Sequence, residues 1–323
     1  MKRIHASVAV GLALALLLAA CGGGVVDVGP IQAEDPDPDA PADEIEEPAD
    51  EVEPEQPTEE PSDPATDPEA PANGVETTAV RLYFLAPGGG TPARADPFLV
   101  SVQREIPSTP RIALATLREL VDGPSARDQA LIDGISTAVP DHTLVLDVTI
   151  DDGLATVNLS REFESGGGSF SMLSRLAQVV YTVTQFPTVD EVTFELDGRP
   201  VTVFSGEGIM LDEPGSRADY LDLLPTVFVD TPAAGAEITD GVRVTGMGMV
   251  FEATFQYRLE TGDGTVLVEH FAMTDEGLGW GAFDLTLRFE VDEPQPGYLT
   301  VWEVSAEDGS VQAERTTPVT LLP

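Results

Sequence analysis

The one cysteine of the chain, Cys21, is the residue whose type and position most directly suggest chemistry. It follows two basic residues, Lys2 and Arg3, and a run of 13 small or apolar residues at positions 8–20. A single thiol excludes an intrachain disulfide and any zinc site built from several cysteines. The apolar run is too short to span about 30 Å of hydrocarbon as a helix. Residues 1–20 are therefore predicted to be a cleaved signal peptide.

The sequence LAAC at positions 18–21 resembles a bacterial lipobox. This resemblance implies that the Cys21 thiol is diacylated and that cleavage leaves Cys21 as the new N-terminus. Two acyl chains, each contributing about 0.8 kcal/mol per buried CH₂, would anchor a protein stably. We therefore expect membrane lipid as a partner through acylated Cys21, on the extracytoplasmic face of the cell membrane. The alternative is a plain secretory signal with a cysteine there by chance.

Motifs for catalysis do not accompany this cysteine. The sequence lacks the G-x-S-x-G, Walker, H-E-x-x-H and dinucleotide-binding patterns. A Ser-His-Asp arrangement would need His142, in a predicted turn, or His270, at a strand end, and both are interpreted as surface residues. Residues 166–168 are three glycines that could cradle an anion at a helix start, although a flexible loop is preferred. We predict no enzyme, no cofactor and no metal.

Large aromatic residues leave glycan binding open as an alternative. Four of them could stack on sugar rings: Trp280, Trp302, Tyr257 and Tyr298. Core packing is the preferred interpretation in a β-sandwich, and Trp280, between two glycines, is the better candidate for a binding residue. A glycan-modifying enzyme would need a pair of carboxylates about 5–10 Å apart. An acidic chain offers such pairs by chance, and no motif selects one.

The charge is strongly one-sided. The 323 residues include 57 Asp and Glu against 16 Lys and Arg, a net charge of −41, which argues against nucleic acid as a partner. Residues 34–71 contain 17 acidic residues, ten prolines and no basic residue. We predict that this segment is disordered and acts as a spacer within a tether of residues 21–78. A weaker alternative is cation binding at Asp35–Asp39, whose proline-locked spacing suits a chelating loop poorly.

Residues 79–222 are predicted to form a mixed α/β domain with the element order β-β-α-β-β-α-β-β. The predicted strands are Val80–Leu85, Phe98–Ile106, Thr143–Ile150, Leu154–Leu159, Val189–Leu196 and Pro200–Phe204. The spacing of apolar residues predicts the first helix over 111–122, with Ser108 or Thr109 as its cap and Pro110 at its first position.

The second predicted helix begins after the three glycines and ends before Pro187. Its apolar face is formed by Leu173, Leu176, Ala177, Val180 and Thr184. The polar residues Gln178, Thr182 and Gln185 form a separate stripe. We expect this stripe to face solvent, or alternatively to be the surface that a packing partner contacts.

Several stretches of this region carry a resemblance to a known family. They are VRLYFL (80–85), DGP (122–124), AVP (138–140), GLATVNLS (153–160), QVVYTVTQFPTV (178–189) and DG (197–198). Together they resemble the GerMN domain of sporulation and spore-germination lipoproteins. The resemblance implies a compact α/β (α+β) fold similar to ring-building motifs, domains that pack side by side in envelope assemblies. It therefore suggests oligomer formation through this domain and identifies no catalytic residue. Asn158 departs from the V-D-L-S pattern that is common in the family.

Residues 226–323 are predicted to form an all-β sandwich. The predicted strands are Thr226–Asp230, Gly241–Thr245, Thr254–Leu259, Val266–Phe271, Asp284–Phe289, Tyr298–Ser305 and Thr317–Leu322. The stretches VDTP (229–232), VTG (244–246), VFEA (250–253), GWGAF (279–283) and SAEDGS (305–310) resemble the immunoglobulin-like Gmad domain, which often accompanies GerMN. The short junction Leu221–Pro225 predicts that the two domains touch.

These observations together predict a membrane-anchored extracytoplasmic lipoprotein. We expect it to be a non-catalytic interaction or assembly module of the cell envelope, linked through its family to sporulation or germination. Envelope proteins or peptidoglycan are the expected partners. The alternative is a cell-wall glycan-binding or glycan-modifying protein that uses a carboxylate pair.

Overall fold

A computed structural model describes residues 76–88 and 97–323, all of which lie in one compact unit. Cys21, the predicted signal peptide and residues 34–71 lie outside the described residues. Among the helices that the structure describes, none is long and apolar enough to cross a membrane. A mixed α/β part precedes an all-β part, so the predicted order of fold classes is confirmed.

The α/β part is built on a hairpin, a four-stranded sheet and three helices. Its elements are β1 (Thr77–Ala86), β2 (Phe98–Pro107), α1 (Ile112–Val121), α2 (Ala126–Leu131), β3 (Val145–Asp151), β4 (Gly153–Leu159), α3 (Ser169–Val183), β5 (Val189–Leu196), β6 (Arg199–Pro200), β7 (Val203–Phe204) and β8 (Ile209–Met210). Strands β1 and β2 pair antiparallel. The four-stranded sheet has the order β3-β4-β5-β6, with β4 and β5 parallel, and β7 pairs with β8.

The start of α1 differs from the prediction. Arg111 is the N-cap residue and no side chain caps the helix, so the expected caps, Ser108 and Thr109, are wrong. The Ser108 hydroxyl lies 2.8 Å from Thr78 Oγ1 and its backbone N–H donates to Glu76, which ties this residue to the β1–β2 hairpin instead. The hairpin thus uses the hydroxyl that the helix was expected to use.

The last predicted hairpin of this part is only partly correct. Strand β6 pairs with β5, but β7, the end of the predicted strand, pairs with β8 instead. The carboxylate of Glu164 accepts a hydrogen bond from the backbone N–H of Ser205 at 2.8 Å, and Ser205 has a φ of 59°. This left-handed turn redirects the chain into the β7–β8 pair.

The all-β part contains two facing sheets. Its strands are β9 (Val227–Thr231), β10 (Glu237–Ile238), β11 (Arg243–Gly248), β12 (Thr254–Thr261), β13 (Val266–Met273), β14 (Gly281–Thr286), β15 (Gln295–Val304) and β16 (Val311–Leu321). One sheet has the order β14-β11-β9 and the other β10-β16-β15-β12-β13. Phe255, Leu259 and Leu299 of the larger sheet and Phe283 of the smaller are buried in one cluster. The sandwich is therefore held by apolar packing.

A second apolar core runs through both parts of the unit. Phe228 and Ala234, from the beginning of the all-β part, belong to the same buried cluster as Leu176 and Val180 of α3. Backbone hydrogen bonds also cross the junction, because the Gln103 N–H donates to the Ala234 carbonyl at 2.9 Å. The prediction that the two parts touch is confirmed.

Candidate functional site

The two histidines, His142 and His270, are both exposed, so their interpretation as surface residues is confirmed. His142 is exposed in a turn with a φ of 66°. His270 is exposed on β13, where its Nδ1 accepts a hydrogen bond from the backbone N–H of Phe271 at 2.8 Å. Over residues 76–88 and 97–323, no group of three or more His, Cys, Asp or Glu side chains could hold a metal ion.

The three-glycine loop before α3 is occupied by the protein's own side chains. The buried guanidinium of Arg175 donates to three backbone carbonyls of this loop at 2.7–3.0 Å, those of Phe163, Ser165 and Gly166. Burial lowers the pKa of Arg175. The Ser169 hydroxyl, at the first residue of α3, donates to the carboxylate of Glu207. A carboxylate thus already lies where an anion would bind, and the loop serves as a structural turn.

The polar stripe of α3 does not face solvent, so this expectation is wrong. Gln178 and Thr182 are fully buried, and Gln185 is half-buried. The stripe lies against the outer edge of β1, the edge that β2 leaves unpaired. A buried amide needs hydrogen-bond partners, and β1 supplies them.

These side chains replace a neighbouring strand. The Gln185 amide accepts from the Arg81 N–H and donates to the Arg81 carbonyl, both at 2.7 Å. Two residues along β1, the Tyr83 carbonyl accepts from Gln178 Nε2 at 2.9 Å and the Tyr83 N–H donates to Thr182 Oγ1 at 3.4 Å. The i, i+4, i+7 spacing of the helix thereby satisfies alternate residues of a strand edge.

A group of charged and polar side chains lies at the junction of the two parts. We call Arg81, Tyr83, Arg217 and Asp230 the junction cluster. The Tyr83 hydroxyl donates to Asp230 Oδ1 and accepts from Arg81 Nε and Arg217 Nη2, both at 3.1 Å. Asp230 Oδ2 accepts from Arg217 Nη1 at 3.1 Å and lies 3.8 Å from Arg81 Nη2. Asp230, from β9, is thus bound by three side chains of the preceding region.

Aromatic rings surround the junction cluster. The Arg217 guanidinium lies 4.7 Å from the ring centroid of Tyr181 and 5.3 Å from that of Tyr83. Phe228 meets the Tyr181 ring edge-on at 6.0 Å. Rings in these positions attract a guanidinium and shield its ion pair from water. The cluster is therefore packed as well as hydrogen bonded.

The electrostatics of the junction cluster favour a structural role. Burial, together with the negative charge of Asp230, raises the pKa of Tyr83 to about 12. Burial alone would lower the pKa of Arg217, but Tyr83 and Asp230 outweigh it and the pKa is raised. The Tyr83 phenol and the Arg217 guanidinium therefore keep their protons near pH 7. The cluster fastens the two parts together and supplies no general acid or base at neutral pH.

The four aromatic residues that were considered for glycan binding divide between the core and the outer surface of the sandwich. Trp280, the preferred binding candidate, packs half-buried against the core that joins the two parts. Tyr257 packs against the sandwich core. Trp302 and Tyr298 project from the outer face of the five-stranded sheet, and Tyr298 is 37% exposed. Flanking glycines at Trp280 indicated a loop correctly, but the loop folds back onto the core.

Two family models match the chain in the expected order. Residues 81–202 match a family described as "Sporulation and spore germination", and residues 226–310 match one described as "Immunoglobulin-like domain of bacterial spore germination". The fold thus carries two domains of sporulation and germination proteins. The chain contains a GerMN-like domain followed by a Gmad2 immunoglobulin-like domain, and both resemblances are confirmed.

Solved structures give three further likenesses. The first GerMN domain of the sporulation protein GerM from Bacillus subtilis is 23% identical, covers 44% of this chain and 100% of its own, and has a TM-score of 0.36. The tandem GerMN domains of the same protein are 17% identical, cover 68% of this chain and 64% of their own, and have a TM-score of 0.37. A proposed lipoprotein from Clostridium perfringens is 18% identical. It covers 48% of this chain and 98% of its own, and it has a TM-score of 0.31. No curated protein matches.

Proposed function

We propose that this protein is a lipid-anchored, extracytoplasmic interaction or assembly module of the cell envelope, without catalytic activity and linked to sporulation or germination. The observation that carries the proposal is the continuous core and junction cluster between two domains whose families both belong to sporulation and germination. A junction of this kind presents the surfaces of both domains to partners in one fixed relation. Envelope proteins or peptidoglycan are the proposed partners, and the GerMN domain is the proposed route to oligomers.

The proposed anchor is Cys21, acylated after removal of residues 1–20. Residues 21–78 then form the tether, residues 79–222 the GerMN-like domain and residues 226–323 the Gmad domain. A tether of this length reaches from about 40 Å as a flexible coil to about 180 Å as extended polyproline II. The folded domains would thus work at a distance from the membrane surface.

Mass spectrometry of the mature N-terminal peptide tests the anchor. We expect a diacylated Cys21 at the N-terminus, and we expect Cys21→Ser to move the protein out of the membrane fraction. An unmodified Cys21, or a mature chain that begins beyond it, would refute lipidation. Neither result depends on which partner the folded domains bind.

Crosslinking in living cells, followed by identification of the captured partners, tests the interaction role. Recovery of the same envelope protein in repeated experiments supports an assembly function. Recovery of muropeptides alone would favour a wall-binding protein instead. Release of soluble fragments from purified cell walls by the mature chain would contradict the non-catalytic assignment.

A further inference from the structure

The outer face of the five-stranded sheet carries a grid of side chains across β15, β12 and β13, with one register shift between Leu259 and Glu260 where β12 pairs with β13. The strand registers place nine residues in three rows, which we call the outer grid: Trp302, Gln256, Phe271; Thr300, Arg258, Glu269; Tyr298, Glu260, Val266. Neighbouring strands lie about 4.8 Å apart, so each row is about 10 Å across. Aromatic or apolar side chains therefore lie at the four corners of the grid, and charged side chains lie between them.

The centre of the outer grid already shows how a cation is held there. Arg258 Nε lies 2.9 Å from Glu260 Oε2, and its Nη1 lies 3.8 Å from a carboxylate oxygen of Glu269. The same guanidinium lies 5.6 Å from the Trp302 ring centroid. Thr300 beneath is only 2% exposed. One cation thus contacts an aromatic ring and two carboxylates on a face that is partly exposed to solvent.

Two further pairs of an aromatic ring and a carboxylate lie beside Arg258. Tyr298, 37% exposed, is directly opposite Glu260 across the strands, and Phe271, 52% exposed, is two residues from Glu269 on β13. Within the part of the chain that the structure describes, no cation lies over either ring. Each pair offers a second cation the two kinds of contact that Arg258 makes.

The charge of the face and of the whole folded region determines which partner fits. The outer grid holds two carboxylates against one guanidinium. Residues 79–323 contain 38 acidic residues against 14 arginines, a net charge of −24. This charge repels a second copy of the chain and anionic lipid, and it attracts a basic surface. We propose that the outer grid binds an arginine- or lysine-bearing segment of another protein, an inference that rests on the proposed interaction function.

The partner uses the face of the sheet and not its edge. Strand β13 is the outermost strand of its sheet, where a partner strand could otherwise add. The His270 ring occupies this edge, because its Nδ1 lies 2.8 Å from the Phe271 nitrogen and 3.0 Å from the Phe271 carbonyl oxygen. The His270 ring also stacks on the Phe271 ring at 4.8 Å. An incoming strand would have to displace the Nδ1 contacts, whereas a side chain over the other face of the Phe271 ring would not.

The two tryptophans provide the test. The mature chain is labelled with ¹⁵N and titrated at physiological salt with a synthetic peptide of alternating arginine and threonine. We expect the indole N–H signal of Trp302 to shift and that of Trp280 to stay in place. Phe271→Ser should weaken peptide affinity about fivefold, the typical effect of losing one exposed cation–π contact. Leu146→Ser is the matched control, since Leu146 is 43% exposed on the edge strand β3, and it should change nothing.

Several results would overturn the inference. The Trp302 signal would not respond to the peptide, or Phe271→Ser and Leu146→Ser would weaken peptide affinity equally. The Trp302 signal would respond, in place of the peptide, to a neutral oligosaccharide, to lipid vesicles or to a rise in protein concentration. Photocrosslinking in cells separates this inference from the proposed function. Partner proteins captured at position 271 and not at 146 support it. Proteins captured at 146 alone refute this surface and leave the interaction function standing, whereas capture at neither position counts against both.

Discussion

Asp230→Ala is the most informative perturbation, because the Asp230 carboxylate contacts the other three side chains of the junction cluster. The Asp230 side chain is 16% exposed, and those of Arg217 and Arg81 are 29% and 26% exposed. Removing one partner of a fully buried ion pair costs about 3–5 kcal/mol. Since these groups are partly solvated, we reduce the expected loss of unfolding free energy to about 2–3 kcal/mol. For a unit of this size the melting temperature should fall by about 7 °C.

The matched control is Asp284→Ala, which breaks the exposed pair of Arg243 and Asp284. These side chains are 71% and 49% exposed. An ion pair so accessible to water contributes about 0–1 kcal/mol, so the melting temperature should fall by no more than about 3 °C. Asp230→Asn keeps an acceptor for Tyr83 and should lie between the two alanine variants.

Thermal unfolding can be followed by two probes that report different parts of the unit. Both tryptophans lie in the all-β part, but Trp280 packs against the core that joins the two parts, so the fluorescence of Trp302 in a Trp280→Phe background reports the sandwich. All three described α-helices lie in the α/β part, so circular dichroism at 222 nm (the usual helix wavelength) reports that part. If the junction couples the parts, the two transitions coincide. Two separate transitions before either aspartate is changed, or equal losses for Asp230→Ala and Asp284→Ala, would refute the reasoning.

Three further predictions follow from other contacts. Gln185→Ala leaves the Arg81 N–H and carbonyl without their partners. The amide hydrogens of β1 should therefore exchange faster, and the free energy of unfolding should fall by about 2 kcal/mol. Unchanged exchange would contradict the view that the Gln185 side chain replaces a neighbouring strand. Tyr83 has an ordinary pKa of 10.0, raised to about 12 on folding, so its contribution to stability is complete below pH 10 and is lost as pH rises through 12; Tyr83→Phe should reduce this alkaline loss in pH-dependent melts. Gly246→Ala should prevent soluble expression, because a Cβ there would overlap a carbonyl oxygen and an aromatic ring, whereas Gly206→Ala, with open space around it, should be tolerated.

Turns that depend on local chemistry could be predicted from the sequence. The Asp-Gly pairs at 152–153 and 197–198 each lie between two of the predicted strands, and all four residues have positive φ values. Aspartate and glycine tolerate this conformation, and β4, which follows the first pair, alternates in burial. The boundaries of β4 and β5 therefore follow closely from residues that are neighbours in the sequence.

The polar stripe of α3 shows where local reasoning stops. Spacing correctly places Gln178 and Thr182 on one face of α3, with Gln185 in the turn just after it on the same side. Whether that face is exposed to solvent depends on β1, about a hundred residues earlier in the chain, because the outer edge of β1 needs hydrogen-bond partners. An amide side chain suits water and a strand edge equally well. The stripe was therefore recognisable in the sequence, and its environment was not.

The junction cluster was missed for a related reason. Its members come from β1, the segment before β9, and β9 itself, and only Arg81 and Tyr83 are neighbours in one stretch of sequence. One sequence signal was the short connection between the domains, which predicted contact without indicating the residues involved. A second signal is the tyrosine near an arginine in the mostly apolar stretch VRLYFL, because the hydroxyl of a buried tyrosine needs a partner.

The side-chain amides along β1 also restrict how copies of this protein can associate. A hairpin with an open edge can exchange strands with another molecule and form continuous sheets. Here α3 of the same molecule saturates the backbone of β1 at Arg81 and Tyr83, and Ser136 pairs with Leu85 further along. Two GerMN domains therefore cannot pair their β1 strands into one sheet unless α3 and the turn after it first separate from β1. An assembly that used this face of the domain would therefore join separate, folded subunits, and it could be taken apart without unfolding them.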